Sequence, residues 1–130
     1  MKPHVIFLLN ADPDVEKALN QVASQRGDEL VIARTAAESF RILRDDTKGV
    51  KLVVIDIDHE RHGVTLLNAV AGFRENVPIV VVTSLEENYM KPLVVRRGAA
   101  ECLGKPVEPS RLAEAIRRHC GAKEASESTR

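Results

Sequence analysis

The stretch LVVIDID, residues 52–58, decides the fold class of this chain. Four apolar residues in a row are typical of a strand that is buried on both faces, and such strands occur in parallel sheets covered by helices on both sides. The same stretch then places Asp56 at the tip of the strand and Asp58 two residues further on. A carboxylate at the end of a buried strand suggests a functional role, and the rest of the sequence has to indicate which one.

Four further apolar runs of strand length alternate with helical patterns along the 130 residues. We predict these strands at 4–9, 29–33, 78–83 and 100–103, each followed by a helix. Asp12 is suited to cap the first helix, with Pro13 at its first position. In the segment 84–97, Pro92 predicts a short helix with the proline near its first turn, or else a kink. Five strand–helix units predict one α/β domain over residues 1–122, followed by a disordered polar tail over 123–130.

Polar side chains gather at the predicted carboxyl ends of these strands. In open parallel sheets the ligand site lies at those ends, where the strand order reverses. The residues there, besides Asp56, are Asn10, Ala11 and Asp12 after the first strand, Thr83 and Ser84 after the fourth, and Lys105 after the fifth. We therefore interpret Asp56 as a site residue that meets a hydroxyl group and an ammonium group.

The overall charge of the chain is zero, which gives no global attraction to nucleic acid or to a membrane. Locally, residues 91–118 hold seven basic residues against three acidic ones, whereas residues 1–90 hold ten against fourteen. This predicts a basic face on the fourth and fifth helices. Its residues are Lys91, Arg96, Arg97, Arg111, Arg117 and Arg118. Without aromatic stacking partners or a recognition helix, a protein-docking face is favoured over DNA binding.

The cysteines and the N-terminal residues indicate the cellular compartment in which we expect the protein. Cys102 and Cys120 form neither a CxxC motif nor a zinc pattern, and two free thiols fit a reducing cytoplasm. The five consecutive apolar residues near the N-terminus are too few for a signal peptide or a membrane span. We expect a cytoplasmic protein that binds no membrane.

The chain resembles the CheY-like receiver domains of two-component response regulators from residue 3 to about residue 120. The segments that carry the likeness are IFLLNADPDV, LVVIDID, VVVTS and RRGAAECLGKP, in the family's order and spacing. The resemblance implies a flavodoxin-like, doubly wound sheet of strand order 2-1-3-4-5 in three α/β/α layers. It also implies phosphorelay signalling, with Asp56 as phosphoacceptor, Thr83 bonded to a phosphoryl oxygen and Lys105 paired with the phosphoryl charge. The Lys105–Pro106 bond is expected to be cis.

The sequence departs from the family at the metal site. The family's two acidic residues after the first strand, which hold Mg²⁺ together with the phosphoacceptor, are replaced by Asn10 and Ala11. Mg²⁺ prefers hard oxygen ligands, commonly carboxylates and waters. The remaining candidate ligands are Asp56, Asp58, Asp12 and Asn10. We expect weakened Mg²⁺ binding and no other cofactor. The family's switch aromatic is also missing, because Cys102 stands in its place.

Three functions stay open at this point. The first is a phosphorylatable receiver that accepts a phosphoryl group from a histidine kinase or a phosphotransfer protein and then acts on a downstream protein, or on a second copy of itself, through the basic face. The second is a degenerate receiver used as a phosphorylation-independent interaction module, which Asn10 and Ala11 favour. The third, a flavodoxin-like cofactor binder or small enzyme, is weak because no glycine-rich phosphate loop occurs. We therefore expect no enzyme activity beyond phosphoryl transfer to the chain's own Asp56.

Overall fold

Strands and helices alternate along the whole of the computed structural model, which describes residues 5–9, 12–45, 49–58, 63–73 and 76–120. The strands are β1 (Val5–Leu9), β2 (Glu29–Ala33), β3 (Val50–Asp56), β4 (Ile79–Thr83) and β5 (Glu101–Gly104). The helices are α1 (Pro13–Arg26), α2 (Ala36–Arg44), α3 (Gly63–Phe73), α4 (Glu87–Arg96) and α5 (Pro109–Cys120). The predicted tail, 123–130, lies outside the described residues.

The five strands form one parallel sheet in the order β2-β1-β3-β4-β5, so the predicted fold class is confirmed. Side chains alternate between the two faces of each strand, which gives two apolar cores. On one face Phe7 and Val53 pack with residues of α2, α3 and α4. On the other face Ile6 and Leu52 pack with residues of α1 and α5. The chain thus forms three layers, with the sheet buried in the middle.

The start of α1 is built as the sequence predicts. Asp12 accepts a hydrogen bond from the backbone N–H of Asp14 at 2.8 Å, and Pro13 is the first helical residue. The helix ends at Gly27, whose φ of 77° lies in the left-handed region that glycine adopts at little cost. The hydrogen bond from Asp14 to Asp12 at the start of the helix also fixes the Asp12 side chain at the carboxyl edge of the sheet.

The segment around α4 differs from its prediction. The helix begins at Glu87 with Glu86 as its cap, and Pro92 is its sixth residue rather than part of its first turn. The backbone N–H groups of Ser84 and Leu85 are bonded to Asp58 and Thr83, so they hold a turn after β4 and do not start a helix. Burial of residues on either side of the proline offsets its cost, because tertiary packing routinely overrides helix propensity. Those residues are Met90 and Val94.

Candidate functional site

Asp56 is the last residue of β3 and lies at the reversal of the strand order, between β1 and β4. Its side chain is 0% exposed, and Thr83 at the end of β4 is also fully buried. A buried carboxylate is costly unless donors and an opposite charge surround it. The geometry around Asp56 supplies both.

Lys105 brings the positive charge to this point. Its Nζ atom lies 2.7 Å from Asp56 Oδ2, 3.1 Å from Asp58 Oδ2 and 3.2 Å from Asp12 Oδ2. The residue is held there because its backbone N–H donates to the carbonyl of Thr83 at 2.9 Å, and the Lys105–Pro106 bond is cis, as predicted. One ammonium group therefore joins three carboxylates, two from the end of β3 and the loop that follows it and one from the loop after β1.

The environment of Lys105 favours its charged form. Partial burial alone would lower the pKa of its ammonium group, but hydrogen bonds to Asp56, Asp58 and Asp12 outweigh burial and raise the pKa. Lys105 is thus a permanent cation at neutral pH.

Backbone donors complete the surroundings of Asp56. Its Oδ1 atom accepts the N–H of Asp58 at 3.0 Å, and its Oδ2 atom accepts the N–H of Asp12 at 3.3 Å. These bonds fix the Asp56 carboxylate in place, because both donors belong to the loops that follow β3 and β1.

The hydroxyl of Thr83 is engaged by Asp58. It donates to Asp58 Oδ1 at 2.7 Å, while the backbone N–H of Ser84 donates to Asp58 Oδ2 at 2.7 Å. Partial burial opposes ionisation of Asp58, but the bonds from Thr83, Ser84 and Lys105 outweigh it and lower the pKa of this carboxyl group. Asp58 is therefore a charged acceptor with three protein donors.

The fit to a metal ion is poor in this arrangement. Three carboxylates are a hard-oxygen donor set that Mg²⁺ would accept. Their oxygen atoms, however, face N–H groups, and the ammonium of Lys105 takes the point on which they converge. Within the described ranges no group of three or more His, Cys, Asp and Glu side chains is arranged to hold a metal ion.

The structure brings together five of the residues that the sequence singles out. These are Asp12, Asp56, Asp58, Thr83 and Lys105. Asn10 and its neighbour Ala11 lie outside the described residues. The donor that the sequence could not reveal is the backbone N–H of Ser84, because a main-chain group has no signature in residue identity.

The predicted basic face is partly neutralised within the fold. Arg111 pairs with Glu87 at 2.9 Å, and Arg118 pairs with Glu101 at 2.9 Å. The Glu87 carboxylate also accepts the N–H of Gly104 at 2.9 Å and so ties α4 to β5. Two of the six basic residues therefore brace α4, β5 and α5 against one another.

The fold and the site together define a flavodoxin-like α/β domain with an acidic cluster and a lysine at the carboxyl edge of its sheet. The family model of the response regulator receiver domain matches residues 6–117. The chain belongs to this family and is a receiver domain of two-component signal transduction. None of the helices in the described part of the chain has the length and apolar character needed to cross a membrane.

Relatives agree with this assignment. The chain is 27% identical over 116 residues to the transcriptional regulatory protein GlrR of Escherichia coli, covering 88% of this chain and 26% of that protein. It is 27% identical over 89 residues to the chemotaxis protein CheY of Thermotoga maritima, covering 68% of this chain and 70% of that protein. It thus spans about a quarter of the longer relative.

A solved structure shows the same fold. The CheY-like response regulator receiver domain protein from Methanospirillum hungatei JF-1 superposes with a TM-score of 0.78 at 23% identity, covering 96% of this chain and 99% of that one. At this identity the likeness speaks for the fold alone.

Proposed function

We propose that Asp56 accepts a phosphoryl group from a phosphohistidine of a histidine kinase or a phosphotransfer protein. The observation that carries the proposal is the buried Asp56 carboxylate with the Lys105 ammonium 2.7 Å away. An Asp56 oxygen attacks the phosphorus atom and forms a P–O bond while the P–N bond breaks. The electron pair of that bond stays on the departing imidazole, which takes a proton from solvent.

Two side chains have separate roles in this proposal. Lys105 stabilises the negative charge that spreads over the phosphoryl oxygens, as a fixed cation does in any phosphoryl transfer. Thr83 donates its hydroxyl to one phosphoryl oxygen, and its movement reports the modification to the surface.

The surface that reads this change is formed by α4, β5 and α5. Arg96, Arg97 and Arg117 are exposed there. The aromatic ring of Tyr89 and the side chain of Leu93 are exposed on α4 as well. A cytoplasmic protein with an acidic docking surface fits this face, and a second copy of the chain is the other candidate. In this proposal residues 1–122 act as one signalling domain.

A phosphorylation-independent interaction module is the second candidate. The observation in its favour is that the Thr83 hydroxyl and Lys105 are already bonded to an anion of the chain itself, the Asp58 carboxylate. In that case the surface on α4 and α5 would be in one state at all times.

Intact mass spectrometry after incubation with acetyl phosphate and Mg²⁺ tests the proposal. We expect one added phosphoryl group on the natural chain and none on Asp56→Asn. Asp14→Asn, which removes an exposed carboxylate from the first turn of α1, is the matched control and should be modified like the natural chain. No added mass on the natural chain, even with a phosphohistidine donor, would favour the second candidate.

Weak Mg²⁺ binding remains our prediction, since Ala11 offers no side-chain ligand and the carboxylates of Asp12, Asp56 and Asp58 are engaged by Lys105. Ala11→Asp should bind Mg²⁺ at least about tenfold more tightly than the natural chain, because it adds a carboxylate ligand. Titration of backbone amide signals by NMR measures both affinities. Equal affinities would mean that Asp12 or Asp58 already supplies the missing ligand.

A further inference from the structure

We infer that Asp58 is a tethered anion that occupies the phosphoryl-binding donors of this site and must leave them before a phosphoryl group on Asp56 can be held. The inference rests on the proposed function, because it concerns the same site. It makes Asp58 a positioning residue that sets how readily the site accepts an incoming anion.

The contacts of Asp58 carry the inference. Its two oxygen atoms accept a hydroxyl group, a backbone N–H and an ammonium group, from Thr83, Ser84 and Lys105, at 2.7, 2.7 and 3.1 Å. A phosphoryl group presents the same features to a protein, namely negative charge and several strong acceptor oxygens. The donor set that would hold such a group is therefore already filled by a carboxylate.

The donors cannot serve both anions at once. The Thr83 hydroxyl has a single proton to donate, and so has the N–H of Ser84. A phosphoryl oxygen that takes either bond must displace an oxygen of Asp58. The two anions would also repel each other across a partly buried site, where charges interact more strongly than in bulk water.

The placement of Asp58 allows it to leave. Asp58 is the second residue after the end of β3, and its side chain is 16% exposed, whereas that of Asp56 is 0% exposed. Asp56 is thus fixed in the sheet, but Asp58 lies at the rim and faces solvent on one side. Displacement costs the three bonds to Asp58 and no rearrangement of the core.

Removal of the charge should release the site. Asp58→Asn keeps the shape of the side chain but loses the negative charge, and Asp58→Ala removes the acceptor altogether. Each charge-assisted hydrogen bond that no longer has to be broken favours the incoming anion, so we expect at least about tenfold tighter binding of beryllofluoride. Beryllofluoride serves as the probe because its beryllium exchanges one bound water for an Asp56 oxygen.

The experiment measures beryllofluoride affinity by ¹⁹F NMR at one fixed Mg²⁺ concentration for the natural chain and both Asp58 variants. Glu108→Gln is the matched control, because it removes an exposed carboxylate three residues after Lys105. The Ser84 amide signal is the second readout. It should shift in unliganded Asp58→Ala and return toward its natural position when beryllofluoride binds, which a merely structural role of Asp58 would not produce.

The outcomes separate this inference from the proposed function. Tighter binding by the Asp58 variants, but not by the control, supports it. Equal binding overturns it and leaves Asp56 as the acceptor, and weaker binding overturns it by making Asp58 a ligand of the metal. If neither the natural chain nor any variant binds beryllofluoride or gains phosphoryl mass, the proposed function fails and the inference fails with it.

Discussion

Lys105 supplies the ammonium group that the three carboxylates of the site share. Its side chain is 12% exposed and lies within 3.2 Å of three carboxylates, one of which is fully buried. The ion pair with Lys105 offsets the free-energy cost of desolvating Asp56. This cost is large for an isolated ion. Loss of the ammonium would remove a positive charge that three carboxylates share.

We therefore expect Lys105→Met to lower the free energy of unfolding by about 3 kcal/mol, since it removes the ammonium partner of a buried carboxylate. Urea unfolding measures the change. The matched control is Lys91→Met, an exposed lysine on α4, which should change stability by less than about 0.5 kcal/mol. Asp56→Asn in the Lys105→Met background should regain part of the loss. Equal stability of the two lysine variants would mean that the cluster contributes nothing to folding.

At the scale of elements, α3 approaches the turn after α4 at a glycine. Gly98 has φ of 116°, and a Cβ atom there would lie 2.6 Å from Ala71 Cβ of α3. Gly72, the next residue of α3, has no atom within 4 Å of the position a Cβ would take. The two glycines thus offer opposite environments for the same substitution.

Gly98→Ala should lower the free energy of unfolding by about 2 kcal/mol or more, because the backbone conformation and the contact are both unfavourable. Gly72→Ala should raise it by roughly 0.5 kcal/mol, because alanine loses less conformational entropy in a helix. Thermal and urea unfolding of both variants check the prediction. A destabilised Gly72→Ala would contradict the open space at that position.

Glu87 connects α4 with β5 and α5 and makes this connection depend on pH. Hydrogen bonds from Arg111 lower the pKa of the Glu87 carboxyl group below its ordinary value of 4.5, with a further contribution from the Gly104 N–H against the effect of burial. A carboxyl group whose folded-state pKa is depressed stabilises the fold above its unfolded pKa. The contribution is lost as the pH falls through the lower, folded-state value.

We expect Glu87→Gln to cost about 1 kcal/mol at neutral pH, a small value because solvent screens the half-exposed Arg111. The difference from the natural chain should shrink as the pH falls below 4.5. Urea unfolding across this range is the measurement, with Glu29→Gln on the edge strand β2 as control. A difference independent of pH would assign the effect to packing and not to charge.

For the molecule as a whole, the distribution of charge supports the proposed partner surface on α4 and α5. Arg111 and Arg118 form ion pairs with Glu87 and Glu101 of the same chain. Arg96 and Arg117 are exposed cations that we expect to contact other molecules. Exposed charges contribute mainly to association rate and salt dependence. Apolar contacts must supply affinity, and Tyr89 and Leu93 of α4 are 68% and 41% exposed.

Arg96→Glu combined with Arg117→Glu should weaken partner binding or self-association at low salt by tenfold or more, on the order of 0.7 kcal/mol for each charge. The melting temperature should change little, since both side chains are exposed. Pull-down and sedimentation at two salt concentrations measure the effect. Arg41→Glu with Arg44→Glu, exposed on α2, makes the same charge change on another face. An equal loss of binding in both double variants would contradict the proposed binding surface.

Sequence patterns are sufficient to predict the layers of this protein and to bring Asp56, Thr83 and Lys105 to one edge of its sheet. Apolar runs and caps such as Asp12 with Pro13 are local properties, so they predict strands, helices and the parallel sheet, while strand ends carry Asp56, Thr83 and Lys105 to one edge. The hydrogen-bond partners within the site, by contrast, are visible only in the folded structure. The Thr83 hydroxyl donates to Asp58, and Glu86 caps α4. Such choices depend on distances of a few tenths of an ångström between residues far apart in the chain, which residue identity and periodicity do not encode.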